Sequence, residues 1–114
     1  MSTKRDPSPS QILIAAFFRH NQWANIRLCD ACQTLTEEQL NYTDKGAFGS
    51  IRMTLNHLAR AEERYLYHLI RWEPAITKSD KSIPEITNLK ERLTQTGPIL
   101  HNTALTNLSS ELKR

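Results

Sequence analysis

Three long segments of the chain repeat apolar residues at the spacing of an α-helix, and this periodicity limits the fold more than any other feature. The segments cover residues 10–34, residues 51–72 and the chain from residue 82 onward. Ser50 is placed to cap the second helix, and Pro74 prevents much extension beyond it. Because each helix must bury its apolar stripe, the sequence predicts an all-α, up-down helical bundle of three long helices.

The apolar stripe of each helix predicts the side that faces the core. In the first helix we expect Leu13, Ala16, Phe17, His20, Ala24, Leu28, Ala31 and Leu35 on this side. In the second helix we expect Ile51, Leu55, Leu58, Tyr65, Leu69 and Trp72. In the third helix we expect Ile86, Leu89, Leu93, Leu100, Ala104 and Leu108.

Two local signals refine the helix boundaries. Residues 36–39, Thr-Glu-Glu-Gln, form a capping-box signature that predicts a short helical turn between the first two long helices. The Gly97-Pro98 pair interrupts the third helix, since proline removes a backbone hydrogen bond and clashes with the preceding turn. We expect a kink near Thr96, and a break is the alternative.

Length and composition predict one domain, residues 10–114, after an extended or disordered tail at residues 1–9. The chain has 114 residues and a net charge of +3, with 15 basic residues interleaved among 12 acidic ones. The scattered charge disfavours nucleic-acid binding. No apolar run is long enough to span a membrane and no secretory pattern follows the N-terminus, so we expect a cytoplasmic protein.

Cys29 and Cys32 form a Cys-x-x-Cys pair, a spacing found in zinc and redox sites. Here the pair falls in the middle of a helix, with no second cysteine pair and no preceding strand. We therefore interpret both cysteines as small buried core residues.

His57 lies about 120° from the axis of the second helix's apolar stripe, at the boundary between core and solvent. A histidine in this position is more often a surface or packing residue than a metal ligand. No histidine lies three or four residues away, so there is no chelating pair on the helix. His68 is on the same side but roughly 16 Å along the axis, so it cannot share an ion with His57.

Several segments, in their order and spacing, carry a family resemblance. They are FFRHNQWANIRL at 17–28, LTEEQL at 35–40, GSI at 49–51, TLNH at 54–57 and AEERYL at 61–66. Together they resemble the DinB family of damage-inducible-type proteins, which are four-helix bundles related to bacterial metal-dependent thiol transferases. The resemblance spans about residues 12–112 and is strongest over 17–69.

The resemblance implies a role for His57 as one ligand of a three-histidine site for a divalent metal of the Zn or Ni type. In the family the other two ligands are a His-x-x-x-His pair on the fourth helix. This sequence has four histidines, and no two are four residues apart. It stops about where the family's connection to a fourth helix begins, so we expect a truncated chain or a lost site. A complete site cannot form within one copy, and tight metal binding by this chain alone is not expected.

Glu62 is placed almost at the centre of the second helix's apolar stripe, where a carboxylate needs a partner or a proton. Arg27 and His20 on the first helix are the candidate partners. An internal ion pair that fixes helix register is favoured over a catalytic carboxylate. We interpret His20 as a hydrogen-bonded core histidine and assign no catalytic residue.

Two functions remain open from the sequence. The first is a metal-binding bundle, thiol-transferase-like or hydrolase-like, whose ion would bind water or a small thiol substrate. The second is a non-catalytic interaction module that forms a homodimer, or binds another protein, through the apolar face left open without a fourth helix. Phe17, Leu93 and Leu100 are predicted to lie on that face. A DNA-binding helix-turn-helix is disfavoured, because residues 35–50 are far longer than the turn of that motif.

Overall fold

The computed structural model of the protein describes residues 6–43, 49–74 and 84–106. Regular structure in these ranges is helical throughout: α1 is Pro9–Cys32, α2 is Glu37–Asn41, α3 is Ile51–Ile70 and α4 is Ile86–Thr106. The three long helices and the short turn are those that the sequence predicts, so the all-α helical bundle is confirmed. No helix in the described ranges is long and apolar enough to cross a lipid bilayer.

Side-chain caps set the first turn of three helices. Ser8 caps α1 and Thr36 caps α2, each in a capping box that a glutamine three residues later completes. Ser50 caps α3 by accepting from the backbone N–H of Met53. Arg71, in the left-handed conformation at φ 59°, ends α3. At the helix ends that have such a cap, the observed and predicted boundaries therefore agree within two residues.

α4 is continuous through Pro98, so the helix does not break at this proline. Gly97 lies where α4 packs closely against Gln22 of α1. A Cβ atom built on Gly97 would lie 2.6 Å from Cγ and Cδ of Gln22 and 3.0 Å from its Cβ. Glycine is therefore required at this position for the two helices to pack at this separation.

The directions of the helices follow from the residues that pair along them. α4 runs antiparallel to α1, because Gln11 donates to the carbonyl of Leu105 and Lys90 forms an ion pair with Asp30. α4 runs parallel to α3, because Arg52 lies near Glu85 at their first turns. The up-down alternation predicted from the sequence therefore holds between α1 and α3 but not between α3 and α4. A 15-residue connection, residues 71–85, is long enough to return along the roughly 30 Å of α3.

The side of α1 predicted to face the core is wrong. The buried residues of α1 are Gln11, Ala15, Asn25, Cys29 and Cys32. Leu13 and Phe17, on the predicted side, are 72% and 68% exposed, and His20 is exposed as well. α1 has apolar residues on two sides. α3 and α4 pack against the side with small and amide residues, where the amides of Gln11, Asn21 and Asn25 donate hydrogen bonds to Leu105 and Glu62.

The predicted side of α3 is correct only in part. Leu55 and Glu62 are buried as predicted, but Tyr65 is 65% exposed. Arg52 and Glu63 are buried instead, each in an ion pair with a residue from another part of the chain. The physical reason is that a paired and hydrogen-bonded charge can be buried where an unpaired one cannot.

The core lies where α1, α2, α3 and α4 contribute to one apolar cluster. Its buried members are Cys29, Cys32, Leu40, Leu55, Ala59, Ile86, Leu89 and Leu93. Leu93 and Leu100 are buried, so of the three residues predicted on the open face only Phe17 lies at the surface. The predicted N-terminal tail covers residues 1–9, of which 1–5 lie outside the described residues. Leu108, which was predicted to face the core, also lies outside them.

Candidate functional site

Three helices converge on the carboxylate of Glu62. Its Oε2 accepts hydrogen bonds from the side-chain amides of Asn21 and Asn25 on α1, both at 3.1 Å. Its Oε1 accepts from the hydroxyl of Thr96 on α4 at 2.6 Å. The burial of Glu62 predicted from the sequence is confirmed, but all three partners are neutral.

The predicted ion pair of Glu62 with Arg27 or His20 is wrong. Both side chains are exposed and contact Trp23: the Arg27 guanidinium lies 5.0 Å from the ring centroid and the His20 ring 5.5 Å from it. Arg27 is two residues beyond Asn25, which turns it about 160° around the helix from Glu62. His20 is accordingly a surface residue and not a core histidine.

The electrostatics of Glu62 differ from those of an ion pair. Burial raises the pKa of Glu62, the nearby Glu63 carboxylate raises it further, and the three hydrogen bonds act in the opposite direction. The net effect is a pKa of Glu62 above its usual value, whereas a cationic partner would lower it. Because its oxygens are bonded to α1 and α4, the arrangement fixes the register of three helices and offers no open reactive group.

A second buried cluster neighbours the first. Arg92 donates to both carboxylate oxygens of Glu63, at 2.8 and 2.9 Å, and to Oδ1 of Asn56 at 3.1 Å. The side chains of Arg92 and Glu63 are 12% and 4% exposed. Sequence analysis missed this pair, because the partners are 29 residues apart and lie on different helices. The bidentate geometry indicates a structural clamp between α3 and α4.

His57 lies on the opposite side of α3, in a groove that we call the outer groove. The groove has a volume of about 620 Å³. Its lining residues in the described ranges are Met53, Asn56, His57, Arg60, Ala61, Arg64, Tyr65 and His68. His57 is exposed, on the solvent side of the boundary position predicted for it. The outer groove therefore runs along one helix for about four turns, with the His57 imidazole in its first half.

The outer groove is basic. Arg60 and Arg64 lie one turn apart on α3, and neither forms an ion pair with any residue that the structure describes. The acidic residues of α3, Glu62 and Glu63, are buried and bonded within the bundle. Sequence analysis did not single out the two arginines, although their positions, three and seven residues after His57, place them on its side of the helix.

The described residues do not by themselves fit a three-histidine metal site. Within these ranges no three His, Cys, Asp or Glu side chains lie close enough together to hold an ion. His68 is eleven residues from His57 on the same helix, roughly 16 Å away along the axis. His101 Nε2 accepts a hydrogen bond from the Arg19 guanidinium on another side of the bundle, at 3.1 Å. His57 thus offers one imidazole, and a complete site needs ligands from outside this group.

Cys29 and Cys32 are free thiols in the apolar core, as the sequence predicts. Burial raises the pKa of both thiols, and the neighbouring Cys32 and Asp30 raise that of Cys29 further. A raised pKa keeps a thiol protonated and unreactive at neutral pH. The pair is structural in this fold.

Comparisons with known proteins add one finding to this geometry. No curated protein and no solved structure matches the chain. The model of the DinB family matches residues 1–111, which is nearly the whole sequence. With an all-helical bundle and a histidine on the outer side of its second long helix, the chain belongs to the DinB family.

Proposed function

We propose that this protein is a divalent-metal-binding bundle in which His57 supplies one of three ligands. The other two would come from a segment or chain that lies beside α3. The observation that carries the proposal is the position of His57, an exposed imidazole in a groove on the outer side of a long helix. Glu62 and Glu63 hold the inner side of the same helix, which fixes where the imidazole is presented.

A finer proposal concerns the chemistry. Three histidines leave coordination positions open on a Zn or Ni type ion, which would favour deprotonation of a bound water or small thiol. This chemistry is thiol-transferase-like or hydrolase-like. Arg60 and Arg64 would orient an anionic part of a substrate in the outer groove.

The role of His57 is testable by NMR titration of the protein with Ni²⁺. Paramagnetic Ni²⁺ broadens the signals of the imidazole that it contacts, so His57 should broaden at the lowest concentration. His57→Ala should remove this first phase of binding. His20→Ala is the matched control, since it removes another exposed histidine on a different helix. Equal broadening of His20 and His57, with no change in His57→Ala, would refute the proposed role.

Metal content gives a second test. Because a lone imidazole is a weak ligand, we expect no stoichiometric metal to survive dialysis of the purified chain. One tightly held Zn or Ni ion per chain that is lost in His57→Ala would support His57 as a ligand and place the missing ligands within the purified protein. A tightly held ion that His57→Ala leaves in place would contradict the proposal.

A second function is favoured by the apolar surface of α1: a non-catalytic interaction module that binds another protein chain. Leu13, Phe17 and Leu28 are exposed on one side of α1, an unusual arrangement for a bundle helix. Two kinds of occupant fit this description, a second copy of the chain and a different protein. Sedimentation equilibrium tests the first: homodimerisation through this side should weaken in Phe17→Ser and persist in Ile12→Ser, its exposed counterpart on another side of α1.

A further inference from the structure

We propose that the outer groove of α3 binds small molecules that carry a doubly charged anionic group, a phosphate ester or a dicarboxylate, on Arg60 and Arg64. The inference rests on the proposed function of His57 and deepens it by naming the class of substrate that the groove presents to this residue. Binding of the anion itself requires no metal, so it can be measured separately.

The first observation is that Arg60 and Arg64 differ from the other basic residues that the structure describes. The described ranges contain eight arginines and lysines. Six of these contact a carboxylate, an imidazole or an aromatic ring: Arg19, Arg27, Arg52, Arg71, Lys90 and Arg92. The two without such a contact in those ranges are Arg60 and Arg64, and both are exposed in the same groove.

The second observation is that the two arginines are neighbours. They are four residues apart on α3, so their side chains start about 5–6 Å apart on one side of the helix, where like charges repel. Glu62 and Glu63 lie between them in the sequence, but both are buried and bonded to α1 and α4. A bound dianion would offset the repulsion, and the planar guanidinium group matches both phosphate and carboxylate oxygens.

The shape of the outer groove favours a small molecule as the source of this charge. Its volume of about 620 Å³ lies within the range of small-molecule sites, roughly 300–1,000 Å³. Ala61 and Tyr65 each follow an arginine by one residue, so they line the groove about 100° around the helix from it. The groove therefore has a cationic flank and an opposite flank with a methyl group and an aromatic ring. A molecule with an acidic end and an apolar body complements both.

The position of the arginines relative to His57 limits the length of the substrate. Arg60 is three residues and Arg64 seven residues beyond His57, or roughly 4.5 and 10 Å along the helix axis. A molecule whose anionic group lies on both arginines would extend its other end towards the imidazole. We therefore expect substrates whose reacting group is roughly 5–10 Å from the acidic group.

The test is an NMR titration of the metal-free, isotope-labelled protein at a pH of about 7.5, where a phosphate monoester is a dianion. Phenyl phosphate should shift the backbone signals of residues 57–68 saturably, and about 0.3 M salt should weaken its binding. Phenol, which has the ring without the charge, should not bind. Phenylsuccinate carries the charge as two carboxylates, and the tighter of the two anions identifies the preferred class.

Matched variants separate this site from general attraction to a basic protein. Arg60→Gln/Arg64→Gln should weaken phenyl phosphate binding about tenfold or more, because two charged donors are lost. Arg19→Gln/Arg27→Gln removes two exposed arginines of α1 and should leave binding within about twofold. Circular dichroism and thermal unfolding establish that each variant is folded.

Several results would overturn the proposal. These are no saturable shifts with either anion up to about 10 mM, equal binding of phenol, or equal losses in the two double variants. A marked loss of stability in Arg60→Gln/Arg64→Gln without anion binding would show that a carboxylate of the protein itself occupies the arginines. The same variant should keep the first phase of Ni²⁺ broadening at His57, so failure of the metal proposal and failure of this one give different results.

Discussion

Along α3, Glu62 and Glu63 point into the bundle and accept hydrogen bonds from side chains of α1 and α4. On the outer side of the same helix, Arg60 and Arg64 pair with no acidic side chain that the structure describes. Charged side chains therefore have two different roles on this helix. Buried charges here hold helices in register and should affect stability when changed, whereas the outer charges should affect only what the protein binds.

The largest expected effect is that of Arg92→Met. Removing the guanidinium strands the Glu63 carboxylate, which is 4% exposed, so unfolding free energy should fall by about 3 kcal/mol or more. Denaturant unfolding measures the loss. The double variant Arg92→Met/Glu63→Leu should recover much of it, because no unpaired charge remains. A single-variant loss within about 0.5 kcal/mol would mean that the inner side of α3 does not depend on this pair.

Glu62→Ala should have the next largest effect, about 1–3 kcal/mol, because it leaves the buried amide of Asn25 without an acceptor. Glu62→Gln should cost much less. Its Oε1 can accept from Asn21 and Asn25, while its amide donates to the Thr96 hydroxyl, which already lies 3.2 Å from the carbonyl of Arg92. Equal losses in both variants, measured by denaturant unfolding, would contradict this assignment.

The pH dependence of stability, compared between the unchanged protein and Glu62→Gln, gives a further test. Because burial raises the pKa of Glu62, the folded state binds more protons than the unfolded state just above the unfolded pKa, about 4.3. The contribution of Glu62 to stability therefore increases as pH falls through the folded pKa and is lost as pH rises. Relative to Glu62→Gln, the unchanged protein should gain stability from neutral pH towards about 4.3. A relative loss over this range would show a lowered pKa.

Gly97→Ala tests the close approach of α4 to α1. The added Cβ would meet Gln22 at 2.6 Å, and the repacking should exceed the helix-propensity gain of about 1 kcal/mol, leaving a net loss of about 1 kcal/mol. In a Gln22→Ala background the same change should cost less or become stabilising. A double-mutant cycle measures the coupling. Additive effects would mean that contact with Gln22 does not account for the cost of the added Cβ.

Local signals in the sequence predicted the helices well. Ser50 and Thr36 act on neighbouring backbone groups, so their effect can be deduced from adjacent residues. The direction of α4 relative to α3 could not be deduced this way, because it depends on which helix faces meet after a long connection.

The faces of the helices were harder to predict for the same reason. α1 has apolar residues on two sides, and only the partner helix decides which side is buried. The clue to the correct side was Asn21 and Asn25, one turn apart in mid-helix, where asparagine is unfavourable without a partner. The buried pair of Glu63 and Arg92 had no comparable signal, because each residue looks like an ordinary surface charge.

The smallest expected effect is that of changes at exposed residues of α1 and α3. Phe17→Ser and Arg64→Gln change residues that are exposed and lack an ion pair among the described residues, so each should shift unfolding free energy by no more than about 0.5 kcal/mol. Thermal unfolding of these two variants and of Arg92→Met compares the stability lost at the surface with the stability lost at the buried pair. A loss above about 1 kcal/mol in Phe17→Ser would show that its ring is already covered in solution. Dependence of that loss on protein concentration would then identify the cover as another molecule, since only association makes stability vary with concentration.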